Sequence, residues 1–309
     1  MTRHVLTLLE LSNVEVEHVL AVSAELKGKL KRGVREPLLP GRVMGMLFEK
    51  QSLRTRVSFE VAIAHLGGNS LFLGSDVGWG KRETAADFSQ VLSQYVDGVV
   101  CRTNAHSRIE ELAKYCTVPV VNGLTDSAHP CQAMADLFTL QEIFGKIRGK
   151  RLAYVGDANN VAKSLAIACG KLGVEFAVGC PKEYQFDAPF LKQLEKEVPE
   201  LKMLQTTDPR EAVKGAMGVY TDVWASMGQE AEHAQRVVAF TPYQVNAALM
   251  KHAPSDCKFL HCLPARRGEE VTDEVIDGPN SVVIAQAGNR MHVQKGLIAW
   301  LLDAPGTRI

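Results

Sequence analysis

The sequence predicts an α/β fold, with parallel sheet covered by helices on both faces, and three observations lead there. Short apolar runs alternate with longer amphipathic segments along nearly the whole chain. A length of 309 residues, 46% of them hydrophobic, suits two compact domains better than one. No repeat in the solenoid range and no low-complexity stretch offers another architecture.

In the first half, strands are predicted at GRVMGMLF, NSLFLG, DGVVCRT and VPVVNG. Helices fall between them at TRVSFEVAIAHLG, TAADFSQVLSQY and SRIEELAKYC. In the helix after residue 55, Val57, Val61 and Ala64, with Ile63 and Leu66, recur at helical spacing, and Gly67-Gly68 ends it. The second half repeats the rhythm, with strands at RLAYVGD, EFAVGCP, GVYTDVWA, KFLHCLP and SVVIAQA. Its helices are VAKSLAIACGKLG and APFLKQLEKEVP. CQAMADLFTLQEIFGKI reads as a helix joining the halves, and RMHVQKGLIAWLL, residues 290 to 302, as the final amphipathic helix.

Lys plus Arg equals Asp plus Glu at 35 each, so no global field draws the chain to nucleic acid or to an anionic membrane. The segment MTRHVLTLLELSNVEVEHVL has acidic residues inside a broken apolar pattern, unlike a signal peptide, and no apolar run is long enough to span a bilayer. A cytoplasmic protein is expected. Seven cysteines, scattered, odd in number and without a CxxC pair, argue against a disulfide framework and a structural zinc site. Metal ligation in general lacks a motif.

Ligands of open parallel sheets bind at the carboxyl ends of strands, and polar residues gather there. KQSLRTRVSFE places Ser52, Arg54, Thr55 and Arg56 at a helix start, where free backbone N–H groups and a partial positive charge favour an anion. A solvated helix start is the plain alternative. Arg102 ends a neighbouring apolar strand, and guanidinium forks at two strand ends favour a phosphate-like ligand. His129 and Gln132 stand at a helix start opened by Pro130, where a histidine can serve the structure or polarise a carbonyl. VGDANN lacks two glycines of the dinucleotide fingerprint, which argues against a nicotinamide-dependent dehydrogenase. Asn159 or Asn160 suits a cap or a donor to a small carboxylate. Asp222, in DVWASMGQE, suits a small cationic amine; Cys262, in HCLPARR, has no neighbour that marks it as a thiolate.

FEKQSLRTRVSFE, VVCRT, HPCQAMAD, VGDANN, DVWASMGQE and FLHCLPARRGEEV, in that order, resemble the aspartate/ornithine transcarbamoylase family, on its ornithine side. The resemblance covers nearly the whole chain. It implies two doubly wound domains: residues 1–134 for carbamoyl phosphate, joined by a returning helix at 290–309, and residues 135–289 for L-ornithine. A homotrimer or a multiple of trimers is implied, without metal or other cofactor. Ser52, Leu53, Arg54 and Thr55 would hold the phosphate with Arg102; His129, Gln132, Arg102 and Thr55 would surround the carbamoyl group; Arg290 would complete that site. Asn160, Asp222, Ser226 and Met227 would bind the amino-acid end of ornithine. Cys262 and Leu263 would lie by its reacting amine and the carbamoyl group, which makes Arg54, Arg102, His129 and Cys262 the implied catalytic set. Two positions depart from the family pattern: Leu53 stands where threonine is usual, and GSDVGWGKRETAAD carries Trp79 without the glutamine that ornithine enzymes often have. An N-acylated ornithine as substrate, or a chain that only binds carbamoyl phosphate, are the competing readings.

Overall fold

A computed structural model describes residues 2–225 and 230–307. The chain forms two compact units, Met1–Ala135 with Gly288–Ile309, and Asp136–Ala287.

The first unit holds a parallel sheet of β1 (Val43–Phe48), β2 (Asn69–Leu73), β3 (Gly98–Arg102) and β4 (Val120–Leu124), in the order β2-β1-β3-β4. Its helices are α1 (Asn13–Lys31), α2 (Leu53–His65), α3 (Ala85–Tyr95) and α4 (His106–Tyr115). β3 is buried along its whole length because it lies inside the sheet, whereas β2 is an edge strand with three exposed residues. The chain leaves β1 towards β2 and then crosses to β3 on the other side, so the strand order reverses between β1 and β3. Phe48 and Arg102 are register partners there, and whatever follows Phe48 emerges beside Arg102. That reversal is the position where open α/β sheets bind ligands.

α1 had no counterpart in the sequence reading. It is capped reciprocally by Ser12 and Glu15 and buries Val16, Val19, Leu20, Ser23 and Leu26 at helical spacing. In α2 the buried stripe is Thr55, Phe59, Ala62 and Ile63, and Leu66 beyond its end is buried too; Val57 instead is 45% exposed. Of the stripe chosen from sequence, Ile63 and Leu66 face the core whereas Val57 and Ala64 face outward, because Val57 is as apolar as the residues that do face the core.

The second unit holds β5 (Arg151–Val155), β6 (Glu175–Gly179), β7 (Met203–Thr206), β8 (Ala216–Thr221) and β9 (Lys258–His261), all parallel, in the order β7-β6-β5-β8-β9. Here the reversal falls between β5 and β8, where Tyr154 and Tyr220 pair in register and stack with ring centroids 5.7 Å apart. α5 (Pro130–Phe144) contains the boundary between the units. α6 (Asn160–Leu172) and α7 (Ala188–Glu197) follow β5 and β6; α8 (Pro209–Val213), α9 (His233–Phe240), α10 (Ala247–Met250) and α11 (Asp273–Ile276) are shorter.

The expected strand SVVIAQA is not a strand. Val283 begins α12 (Val283–Leu301), one continuous helix, so Arg290 lies well inside it rather than at its start. Val283, Gln286, Arg290, Val293 and Leu297 are among its buried residues and recur at helical spacing, and a short apolar run cannot by itself distinguish that pattern from a strand. Within the first unit α12 meets α1 at Gly296, where an added Cβ would lie 2.1 Å from Ser23 Oγ. Only glycine permits that approach. Lys295 Nζ donates to the Leu26 carbonyl at 3.1 Å, and burial with the charge of Arg35 brings its ammonium down to about 8.

Candidate active site

Each unit presents its polar cluster where the strand order reverses. In the first unit Ser52 caps α2 from an extended conformation, and its Oγ accepts from the Thr55 N–H at 3.2 Å. Leu53 is the first helical residue, and its side chain is 76% exposed. Nothing in that setting requires a hydroxyl, so leucine in place of threonine leaves the helix start unchanged. Arg54 is half-buried. Arg56 is engaged elsewhere: its Nε is 2.9 Å from Glu60 Oε1 and its guanidinium lies 3.8 Å over the Phe72 ring.

Thr55 is the hub of the cluster. Its Oγ1 accepts from Arg102 at 3.0 Å and from Arg290 at 3.1 Å, and all three residues are buried. β3 delivers Arg102, α12 delivers Arg290, and the first turn of α2 delivers Thr55. His129 and Gln132, before and within the first turn of α5, are buried too. Burial first, then the charges of Arg290 and Arg102, holds the His129 imidazole well below the usual histidine range. The ring is therefore neutral at pH 7 and can offer an N–H without adding charge. Two guanidiniums, a helix N-terminus and a neutral imidazole make a chemistry suited to a phosphate bonded to a polar carbonyl group.

Trp79 is buried in the first unit's core, 6.2 Å from Phe88 between ring centroids, with the Arg108 guanidinium 4.3 Å over its ring. Arg108 in turn pairs with Glu49 at 2.8 Å, and Thr103 Oγ1 donates to the same carboxylate. The atypical tryptophan is a packing residue.

In the second unit Asn159, not Asn160, is the junction. Its Oδ1 caps α6 by accepting from Val161 and Ala162, and its Nδ2 donates to Asp222 Oδ2 at 3.0 Å. Asn160 opens α6, half-buried, with Oδ1 accepting from the Val161 N–H at 3.0 Å. Asp222 follows β8, is buried, and accepts at Oδ1 from Val223 N–H and from Cys262 Sγ at 3.1 Å. Cys262 and Leu263 follow β9; Cys262 is half-buried and the other six cysteines are buried. Ser226 and Met227 lie outside the described residues. Asp222, His261 and Cys262 bring potential ligand atoms within 4.8 Å of one another, but both ring nitrogens of His261 are hydrogen-bonded, to Leu263 and to Glu270.

The sequence reading passed over Arg236. It is buried in α9, donates to Asp157 Oδ2 at 2.7 Å and to the Trp224 carbonyl at 3.0 Å, and so ties the turn after β5 to the segment after β8. Burial pushes the Asp157 carboxyl up, against the pull of Arg236. Nothing in AEHAQRVVAF marks that arginine as buried. Glu270 was likewise passed over, and His261, seen at the end of its strand in HCLPARR, was given no role although the next two residues were chosen.

Among the described residues no helix is long and apolar enough to cross a membrane. Residues 3–142 match the aspartate/ornithine carbamoyltransferase carbamoyl-P binding domain, and residues 148–301 the Asp/Orn binding domain of the same family. The ornithine carbamoyltransferase of Carboxydothermus hydrogenoformans is 52% identical, with 97% of each chain covered. That of Bacillus subtilis is 50% identical over 97% of this chain and 94% of its own. Among solved structures, the ornithine carbamoyltransferase from Pyrococcus furiosus superposes with a TM-score of 0.93 at 50% identity, covering 96% of both chains. The anabolic enzyme from Campylobacter jejuni gives 0.91 at 35% identity, covering 97% of this chain and 99% of its own. With both family domains matched in order across nearly all of its length, the chain belongs to the aspartate/ornithine carbamoyltransferase family.

Proposed function

We propose that this chain transfers the carbamoyl group of carbamoyl phosphate to the δ-amine of L-ornithine, giving L-citrulline and phosphate. The observation that carries it is the convergence of Arg102 and Arg290 on Thr55 Oγ1 at the start of α2, in the same unit as a neutral His129. The phosphate is held by the α2 N-terminus through Ser52, the Leu53 N–H, Arg54 and Thr55, with Arg102 and Arg290 supplying charge. His129, Gln132 and Thr55 surround the carbamoyl group, and the neutral imidazole donates to its carbonyl oxygen as negative charge develops there. Asn160, Asp222, Ser226 and Met227 bind the amino-acid end of ornithine, while Cys262 and Leu263 flank the δ-amine.

The donor is already activated, so the reaction asks for positioning and charge stabilisation rather than for a metal or redox group. The deprotonated amine attacks the carbonyl carbon, the tetrahedral intermediate expels phosphate, and phosphate takes up the proton that the amine nitrogen loses. Arg54 and Arg290 stabilise the departing anion.

Residues 1–134 with 290–309 form the carbamoyl phosphate-binding domain in this reading, and residues 135–289 the ornithine-binding domain. Exposed apolar side chains on one unit, Leu53 and Val57, one helical turn apart on α2, and Leu71 and Phe72 on edge strand β2, support self-association, which this reading takes as a homotrimer or a multiple of trimers. Free, mostly buried thiols fit the cytoplasm. An amine panel tests the substrate: carbamoyl transfer to L-ornithine, giving citrulline, must exceed transfer to N-acetylornithine, N-succinylornithine or putrescine, each of which would give its own carbamoylated product. Arg54→Ala should raise the KM for carbamoyl phosphate and lower kcat with the fold intact; near-normal kinetics would refute its role.

A further inference from the structure

β9 ends in a polar relay that the reaction above does not use. The His261 and Glu270 side chains are both fully buried, with Nε2 3.2 Å from Glu270 Oε1. On the opposite side of the ring, the Leu263 N–H donates to His261 Nδ1 at 2.8 Å. A nitrogen that accepts carries no proton, so the ring proton sits on Nε2 and is donated to Glu270. Glu270 Oε1 also accepts from the Arg266 N–H at 2.6 Å, and the His261 N–H donates to Gln286 Oε1 at 3.0 Å. The ring therefore has one tautomer and one orientation available to it.

What that ring holds is unusual. Leu263 has φ 59, in the left-handed region that a branched side chain rarely adopts, and such backbone persists only where its surroundings enforce it. The bond to Nδ1 engages the N–H of that same residue. The preceding residue, Cys262, donates to Asp222 Oδ1, so the same short segment is anchored to β8 as well.

We propose that His261 is a positioning residue for the amine substrate: Glu270 fixes its tautomer, its Nδ1 lone pair holds the Leu263 N–H, and the Cys262–Leu263 backbone is thereby kept in the shape that receives the δ-amine. The inference rests on the ornithine-transfer reading. A buried His–Glu pair that only fastens β9 to the following loop is the contrasting account.

Two amide substitutions separate the accounts, because asparagine places an acceptor where Nδ1 sits and glutamine reaches where Nε2 sits. His261→Asn keeps the bond to Leu263 and should leave the ornithine KM within about threefold of the parent. His261→Gln keeps only the Glu270 contact and should raise that KM by ~10- to 100-fold, the scale of one buried hydrogen bond left unmade. The KM for carbamoyl phosphate should stay put in both. The reverse order, equal losses, or parallel changes in both KM values would overturn the proposal. Should either variant fail to fold, nitrogen-15 NMR of the parent chain titrated with L-ornithine in the presence of a carbamoyl phosphate analogue decides: a proton on Nε2 with His261 Nδ1 and Leu263 amide resonances that shift with L-ornithine supports it, whereas a proton on Nδ1, or resonances that L-ornithine leaves unmoved, sinks it. A parent chain that makes no citrulline would instead remove the functional reading and leave the NMR result standing.

Discussion

Replacing Thr55 by valine keeps the shape of the side chain and removes the oxygen on which two buried guanidiniums converge. Oγ1 accepts from Arg102 at 3.0 Å and from Arg290 at 3.1 Å, so the donating nitrogens are on the order of 6 Å apart at most. Unit charges at that separation repel by about 3 kcal/mol at an effective dielectric of about 20. A hydrogen bond to a charged group contributes about 1.5–3 kcal/mol, and two are lost together. Relaxation of the long side chains and hydration offset part of this, so Thr55→Val should destabilise the ligand-free chain by about 3 kcal/mol. Urea unfolding followed by circular dichroism measures it. Inorganic phosphate or carbamoyl phosphate should recover part of the loss, because an anion between the guanidiniums replaces the missing acceptor and screens their repulsion. A loss under about 1 kcal/mol, or one that saturating phosphate leaves unchanged, would refute the view of Thr55 as the keystone of an anion site.

Leu53→Pro removes the backbone N–H at a position where proline is otherwise welcome in a helix, and Ser52 before it is already extended. The fold should persist while the KM for carbamoyl phosphate rises roughly 10- to 100-fold, the range for losing a charge-assisted bond; an unchanged KM would mean the leucine N–H is not a donor. His129 is held well below the usual histidine range in the folded chain, so the unfolded chain binds the extra proton as pH falls below about 6.5. Its contribution is therefore a loss of stability on acidification, up to about 1.4 kcal/mol per pH unit, and His129→Asn should lower the proton uptake on unfolding between pH 5 and 6 by about one; an unchanged uptake is the refuting result. Lys295 Nζ, brought down to about 8, should titrate near that value by NMR, and a midpoint above pH 10 would contradict its placement between α12 and α1.

The alternation of apolar runs with amphipathic segments was sufficient to find every strand of the first sheet and β5, β6, β8 and β9 of the second; β7 was missed because it is a four-residue edge strand, half-buried throughout, with no apolar run to announce it. The candidate anion site was also legible, because arginine at the end of an apolar strand and a basic helix start are costly unless something uses them. α1 was not recognised, although Ser12 and Glu15 at capping-box spacing announced its start. Its apolar residues are spread among glutamates that face water, and the pattern resolves only when read at helical pitch. SVVIAQA misled for the opposite reason, an apolar run too short to show its period. Asn159 and Asn160 could not be separated by sequence, since either can cap; only the bond from Asn159 to Asp222 distinguishes them. Trp79 stood out in the sequence only as a departure from the family pattern; its flanking glycines, both at positive φ, turn the chain so that it enters the core.

The meeting of α12 with α1 at Gly296 has a consequence for how the chain is made. The first unit is discontinuous, interrupted by everything from Asp136 to Ala287. α1 emerges from the ribosome well before the helix that covers its Ser23 face, with the whole second unit synthesised between the two. During translation the second unit can fold as a continuous stretch while α1 waits with apolar surface uncovered. Chaperone demand and sensitivity to the loss of α12 should therefore concentrate on the first unit, even though α12 is far from α1 in sequence.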